Sequence, residues 1–272
     1  MPSNTEITVP QLSRLIGLPD TPALIDVRSA DDYRAEPRLL PGSYRRDYRT
    51  VSDWAASFHG RSVIVICQNG LELSQGVAAS LRYEGIEAQT LEGGFKAWQD
   101  GGQLRLKTDK LPARDEKGRT VWVTRARPKI DRIACPWLIR RFVDRDAVFL
   151  FVSASEVLAA AEQFNATPFD VENVFWSHRG ETCTFDTMIE EFGLRSEPLH
   201  RLAVIVRGAD TSRPGLAPQA EGLLAASLGY SRMYKDDLAQ LNAAMGFYDA
   251  FYRWCRDAHA ETHTWPSTKS KS

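Results

Sequence analysis

Val63-Ile64-Val65-Ile66-Cys67-Gln68-Asn69-Gly70-Leu71-Glu72-Leu73-Ser74 is the stretch whose reading decides the fold of the first half of the chain. An apolar run ends on a cysteine, a short glycine-containing segment follows, and a helix is expected from about 74 to 83. In parallel α/β sheets the carboxyl end of a strand is where ligands bind, and the amides of the following helix start point outward there. Such a place stabilises a thiolate and holds anions. Gly70 lets the backbone turn so that several N–H groups converge. The physical reading is an activated thiol in an anion-holding loop; a buried cysteine that merely closes a core strand fits the same position.

Working outward, the first hundred residues alternate between strand and helix signals. Thr8 and Gln11 have capping-box spacing with Pro10 in the first turn, leading into Leu12, Leu15 and Ile16. Residues 23–27 read as a short buried strand, Ser29 caps a brief acidic helix, and 51–58 suggests another helix. Gly85 ends the helix after the cysteine, 88–91 forms a strand, and Gly93-Gly94 turns into a helix over 95–98. Buried strands alternating with helices predict a mostly parallel sheet covered on both faces.

Ile25-Asp26-Val27-Arg28, the cysteine loop and Glu92-Gly93-Gly94-Phe95-Lys96-Ala97-Trp98 together resemble the rhodanese family in content, order and spacing, over roughly residues 5 to 104. The resemblance implies an α/β rhodanese-like domain with helices on both faces of its sheet. It implies that Cys67 takes sulfane sulfur from a donor such as thiosulfate, holds it as a persulfide and passes it to a thiol or cyanide. The backbone of Gln68, Asn69, Gly70, Leu71, Glu72, Leu73 and Ser74 would cradle that persulfide. No cofactor is required for this chemistry. Asp26 and Arg28 read as a charge pair tying the strand to neighbouring loops. Two features depart from the family: the loop is about one residue longer than in the commonest small rhodaneses, and Glu72 stands where a basic or hydroxyl residue often holds an anionic donor. An inward Glu72 opposes an anion by several kcal/mol in a poorly solvated pocket and far less if it faces water.

Gly101-Gly102 and the charged stretch that follows read as a linker, taken as 105–119. Beyond it, strands are expected at 121–123, 147–152 and 174–176, with a helix from 136 to 144. Ser153 and Glu156 have capping-box spacing before an Ala-rich helix to 164, and from Thr184 the signal is chiefly helical, so this domain (120–266) reads as α+β and mostly helical. A polar tail, 267–272, is expected to be disordered. Between Arg119 and Arg145 stand eight basic and two acidic residues. A solvated basic face is the default reading of that excess, and only arginines converging on one cleft would replace it.

His178, Cys183 and Asp186 fall within nine residues across a turn into a helix, and they offer three ligands to one metal, with Asp131, Asp210 or His263 as a fourth. The spacing matches no recognised zinc pattern, and structural roles for the same residues stand beside the metal reading. Leu238, Leu241, Met245, Tyr248, Tyr252 and Cys255 share one helix face, which makes Cys255 core. Cys135 before Pro136 is either a low-pKa thiol at a helix start or a buried one beside Trp137.

Asp131-Arg132-Ile133-Ala134-Cys135-Pro136-Trp137-Leu138-Ile139-Arg140-Arg141-Phe142, the 178–186 segment and Ile205-Val206-Arg207-Gly208-Ala209-Asp210 resemble the chromate-resistance family, which also forms the C-terminal part of chromate-sensing regulators. The resemblance implies a chromate or oxidative-stress context, with chromate or another oxyanion as a ligand and Asp131, Arg132, His178, Cys183, Asp186 and Asp210 as candidate metal or oxyanion residues. Some relatives carry His-Asp where this chain has Arg207-Gly208. Regulators of this kind carry a winged helix in front; a rhodanese-like domain replaces it here, so DNA binding does not carry over.

The whole chain sets the bounds. Its 272 residues suit two modest domains, 43% hydrophobic and 25% charged residues are those of a globular protein, and a net charge of −1 gives no global pull toward nucleic acid or membrane. No apolar run reaches the ~18 residues of a membrane span, and residues 1–10 lack the pattern of a signal peptide. Four dispersed cysteines without CxxC spacing point to free thiols and a cytoplasmic location. The expected function is sulfur transfer through Cys67 between a small-molecule donor and a thiol acceptor, linked to chromate resistance. The alternatives are a non-catalytic oxyanion- or metal-binding sensor, and a metalloenzyme centred on His178 and Cys183.

Overall fold

The computed structural model describes residues 5–261. Its first half contains β1 (Glu6–Ile7), α1 (Val9–Leu15), β2 (Ala23–Asp26), α2 (Ala30–Ala35), β3 (Arg38–Leu39), β4 (Tyr44–Arg45), α3 (Val51–Trp54), β5 (Val63–Ile66), α4 (Glu72–Tyr83), β6 (Ala88–Leu91), α5 (Gly94–Asp100) and β7 (Leu106–Lys107). Five strands form one parallel sheet in the order β1-β6-β5-β2-β4. From β2 the chain runs outward to β4 on one side, and from β5 it runs to β6 on the other. The carboxyl ends of β2 and β5 therefore flank a topological switch point, where open α/β sheets form their binding crevice.

The alternation of side chains along a strand sorts the core into two layers. Ala23, Ile25, Val63, Val65 and Cys67 face one side, packed by Val77, Ala78 and Leu81 of α4 and by Phe58. Leu24, Ile64 and Ile66 face the other, under Leu12 of α1 and Phe95 and Trp98 of α5. Full burial of each such aliphatic side chain contributes roughly 1.5–3 kcal/mol. The Thr8–Gln11 capping box forms, and Ser29 accepts from the amide of Asp32 at the start of α2. The expected helix over 51–58 is α3 followed by a 3-10 turn, Ala55–Phe58.

The second half has β8 (Val121–Arg125), α6 (Asp131–Leu138), β9 (Val148–Val152), α7 (Val157–Gln163), β10 (Thr167–Pro168), α8 (Thr184–Glu191), α9 (Glu197–Asp210), α10 (Gln219–Met233) and α11 (Asp237–Arg253). A small parallel sheet, β10-β8-β9, stands against a mostly helical remainder. Trp122 is its hub, with ring centroids of Phe169, Trp176 and Phe192 5.8–6.4 Å away.

Several local expectations are corrected. The helix expected from residue 136 begins at Asp131 and carries Pro136 inside it. Proline removes only the bond to the Arg132 carbonyl, and seven of the helix's eight residues are buried, so packing outweighs that loss. The helix runs into a π turn, Ile139–Val143, closed by Asp144 N–H on the Ile139 carbonyl at 2.8 Å. Residues 174–176 form no strand: Asn173 turns the chain at φ 61°, and Trp176 keeps a single bridge to Phe169. Ser153 makes no cap bond, because a 3-10 turn, Ala154–Glu156, precedes α7. Leu238 is 45% exposed, whereas Leu241, Met245, Tyr248, Tyr252 and Cys255 on the same helical face are buried. The tail from 267 lies outside the described residues.

The two halves share one interior. Trp98, Leu106, Phe142 and Tyr252 belong to a continuous apolar cluster. Gly17, at φ +78°, lies so close to it that a Cβ would sit 3.0 Å from the Tyr252 ring and closer still to Phe142. The Gly42 amide donates to the Phe142 carbonyl at 2.6 Å, and the Tyr44 hydroxyl donates to Asp146 at 2.7 Å. Within 105–119, β7 pairs antiparallel with β3, and the Lys107 amide donates to the Phe192 carbonyl at 2.9 Å.

Candidate functional site

Cys67 follows the last residue of β5 and is 4% exposed. Its Sγ lies 3.1 Å from the Ser74 hydroxyl in the first turn of α4. The loop between them is held by its own backbone: the Cys67 and Gln68 carbonyls accept from the Phe95 and Lys96 amides at 2.9 and 3.0 Å. Gly70 has φ +73°, and a Cβ there would lie 2.7–2.8 Å from the Leu91 carbonyl and the amides of Gly93 and Gly94. The glycine is therefore required twice, for its conformation and for its close approach. Among the described residues none of the N–H groups from Gln68 to Ser74 donates to another group of the protein. Glu72 is exposed, so its charge faces water and opposes an anion only weakly.

The Asp26–Arg28 pair is structural, as expected. Arg28 is buried with its guanidinium 2.7 Å from Asp26 and 3.7 Å from the centre of the Phe95 ring. It donates to the carbonyls of Glu36 and Arg38 at 3.1 and 2.6 Å, which ties the end of β2 to the next loop. Arg28, Ser29, Arg45, Arg46 and Arg49 line a cavity of about 500 Å³ on the carboxyl edge of the sheet, the edge that carries Cys67.

A second constellation lies in the other half, again beyond the carboxyl ends of parallel strands. Asp131 opens α6 after β8, Asp170 follows β10, His178 precedes α8, and Asp210 ends α9. His178 Nε2 lies 3.4 Å from Asp131, 3.4 Å from Asp170 and 3.2 Å from Asp210. Thr184 supports the carboxylates, its amide donating to Asp131 at 2.6 Å and its hydroxyl to Asp170 at 2.9 Å. Arg132 and Arg125 reach the outer oxygen of Asp170 at 3.3 and 3.4 Å. The three carboxylates push His178 up to about 12, and burial pushes Asp131 up.

Residues 8–101 match the family model for the rhodanese-like domain, and residues 122–255 match that for the ChrB C-terminal domain. The two matches lie side by side, so the first part of the chain is similar to rhodanese-like domains and the second to the ChrB C-terminal domain. Protein ChrB of Cupriavidus metallidurans is 32% identical over 146 residues, which are 52% of this chain and 43% of that protein, so the chain spans less than half of that relative. A rhodanese-like domain protein from Staphylococcus aureus is 27% identical, covering 35% of this chain and 90% of that one, with a TM-score of 0.31. Thiosulfate sulfurtransferase from Pseudomonas aeruginosa is 20% identical, over 40% of this chain and 21% of that one, with a TM-score of 0.35.

Within residues 122–255 the structure brings together His178, Asp131, Asp210 and, through Asp170, Arg132. It places Cys183 and Asp186 otherwise. Cys183 is the N-cap of α8, its thiol donating to Asp186 at 3.3 Å while Asp186 accepts from the Cys183 amide at 3.1 Å. Asp186 also pairs with Arg207 at 3.2 Å. The residues close in sequence to His178 form a helix cap, and the carboxylates near it in space come from elsewhere. Asp170 was invisible in the sequence, an isolated aspartate in an irregular segment at φ +52°. His263 lies outside the described residues.

The basic excess divides: Arg125 and Arg132 meet at Asp170, and Arg140, Arg141 and Arg145 line one small pocket with Arg61, several of them bonded to protein groups. Arg127 donates to the Ser231 and Tyr234 carbonyls, Arg140 to Asn242 at 3.0 Å, and Arg141 pairs with Asp249 at 2.7 Å. Burial pushes the thiols of Cys135, Cys183 and Cys255 up, which favours the buried reading of Cys135 over the low-pKa one. No helix among the described residues is long and apolar enough to cross a membrane.

Proposed function

We propose that the rhodanese-like domain transfers sulfane sulfur through a persulfide on Cys67, in the service of chromate resistance or oxidative stress. The observation that carries this reading is the loop from Gln68 to Ser74: a cysteine at the carboxyl end of the central strand, followed by amides that donate to no other group among the described residues. Converging N–H groups stabilise an anion where it forms. The Cys67 thiolate attacks the outer sulfur of a donor such as thiosulfate; the S–S bond breaks and sulfite leaves with its electron pair. A thiolate or cyanide then attacks the terminal sulfur of the persulfide, and the Cys67 thiolate is regenerated. The step needs no metal or organic cofactor. The cavity on the same edge, where Arg28, Arg45, Arg46 and Arg49 outnumber Asp47, supports an anionic donor, and the outward Glu72 opposes it only weakly. The ChrB C-terminal domain and the Cupriavidus relative support the chromate setting.

The test is thiocyanate formation from thiosulfate and cyanide by the full chain, compared with Cys67→Ser. Turnover in the wild type and none in the variant is expected, with one sulfur atom added to Cys67 by intact mass after thiosulfate alone. A wild type that neither turns over nor gains sulfur would overturn thiosulfate as the donor.

A further inference from the structure

We infer that Asp131, Asp170, His178 and Asp210 form a binding site for one divalent transition-metal ion. The inference is independent of the Cys67 chemistry.

Hydrogen bonding does not account for the cluster. An imidazole Nε2 carries at most one proton and donates it in one direction, yet this atom faces three carboxylates at 3.2–3.4 Å. Charge-assisted N–H···O bonds are shorter, about 2.7–2.9 Å. The spacing matches shared coordination instead. Two ligands each about 2.0–2.1 Å from a metal and separated by a tetrahedral angle lie roughly 3.3–3.4 Å apart.

The second observation concerns the other oxygen of Asp131. Asp131 is 1% exposed; its Oδ2 faces His178 and accepts from the Thr184 amide, while its Oδ1 is buried without any hydrogen-bond donor. A carboxylate oxygen left bare in a protein interior is costly unless a cation faces it. One ligand atom each from Asp131, Asp170 and His178 lies within 4.8 Å of the others, close enough for one ion to reach all three. Asp210, at the end of α9, stands outside that group of three but brings its Oδ2 to 3.2 Å from His178, so it is the outermost carboxylate of the site.

The surroundings fit a metal site in two further ways. Arg132 holds the rear oxygen of Asp170, and Thr184 orients the two oxygens that face His178 by donating to them, Asp131 from its amide and Asp170 from its hydroxyl. His178 is 41% exposed at the side chain, whereas Asp131 is buried, so the site is walled on one side and open on the other. An exchangeable ligand has room there. Carboxylate oxygens with one imidazole suit manganese, ferrous iron or zinc, and soft ions that demand thiolates are disfavoured.

The experiment uses the full chain, stripped with a chelator and then titrated with Mn²⁺ and, separately, Zn²⁺, by calorimetry, with electron paramagnetic resonance for manganese. One ion per chain is expected for at least one of the metals. His178→Ala, at a half-exposed position, should weaken it about 100-fold while melting like the wild type. Asp131→Asn should do the same, and Cys183→Ser and Cys67→Ser should leave it unchanged. Failure of the wild type to bind either ion, or equal affinity in His178→Ala, would overturn the site. If Asp131→Asn does not fold, His178→Ala decides alone.

Discussion

The Cys67 thiol and the Ser74 hydroxyl lie 3.1 Å apart, one closing a strand and the other in the first turn of the helix it leads into. The hydroxyl also lies 3.1 Å from the Leu71 carbonyl, to which it donates. It has one proton and two neighbours. When the sulfur is anionic the proton is better placed on sulfur, since hydrogen bonds to charged groups are the stronger ones.

Ser74→Ala removes that donor without disturbing the helix, because alanine is the better helix former. We expect thiocyanate formation to fall about tenfold, the loss of roughly 1.4 kcal/mol in the transition state. Stability should change by less than about 1 kcal/mol, checked by urea melts of wild type and variant.

Gly70→Ala should act through the backbone. A Cβ at φ +73° is strained in itself, and it would press on Leu91 and the Gly93–Gly94 amides at 2.7–2.8 Å. Strain of about 1–3 kcal/mol and a similar overpacking cost are expected together, seen as a lower denaturation midpoint. Sulfur transfer should be lost with it, since the same glycine shapes the loop.

These two predictions rest on features the sequence displayed openly. Residues 63–66 and 23–26 read as strands because a parallel sheet buries both faces, and both faces then read apolar. The cysteine loop was equally plain, since a short motif carries it whole. The second site was only partly legible. His178, Asp131 and Asp210 stood out by type, but Asp170 lies in an irregular segment with no pattern to mark it. Cys183 and Asp186 looked like ligands because three-residue spacing serves a helix cap as well as a metal. The start of α6 was masked by Pro136 and by Ile130 at the N-cap, whose aliphatic side chain offers no cap to find.

Phe142→Ala tests the interior shared by the two halves. The ring is fully buried, with the Trp137 and Tyr252 rings 5.8 and 5.5 Å away, and it packs on Gly17. Truncation should cost about 3–5 kcal/mol. Calorimetry should show one transition moving down as a whole for wild type and variant; two separate transitions would contradict the shared core.

Acid should act through Glu36. A hydrogen bond from Arg38, aided by the Arg105 and Arg28 charges, holds its carboxyl below the usual range. A depressed acid contributes stability above its unfolded value of 4.5 and loses it as pH falls further. Glu36→Gln should therefore melt below the wild type at neutral pH, and the difference should shrink below about pH 4.5, followed by circular dichroism.

Gly17 has a consequence reaching past stability. Its missing side chain makes room for aromatic rings encoded far along the chain, so beyond its own turn at φ +78° the residue chosen in the first half is constrained by the second. Two modules joined in this way no longer evolve as interchangeable parts. A segment transplanted here with any side chain at this place would find the seat already taken.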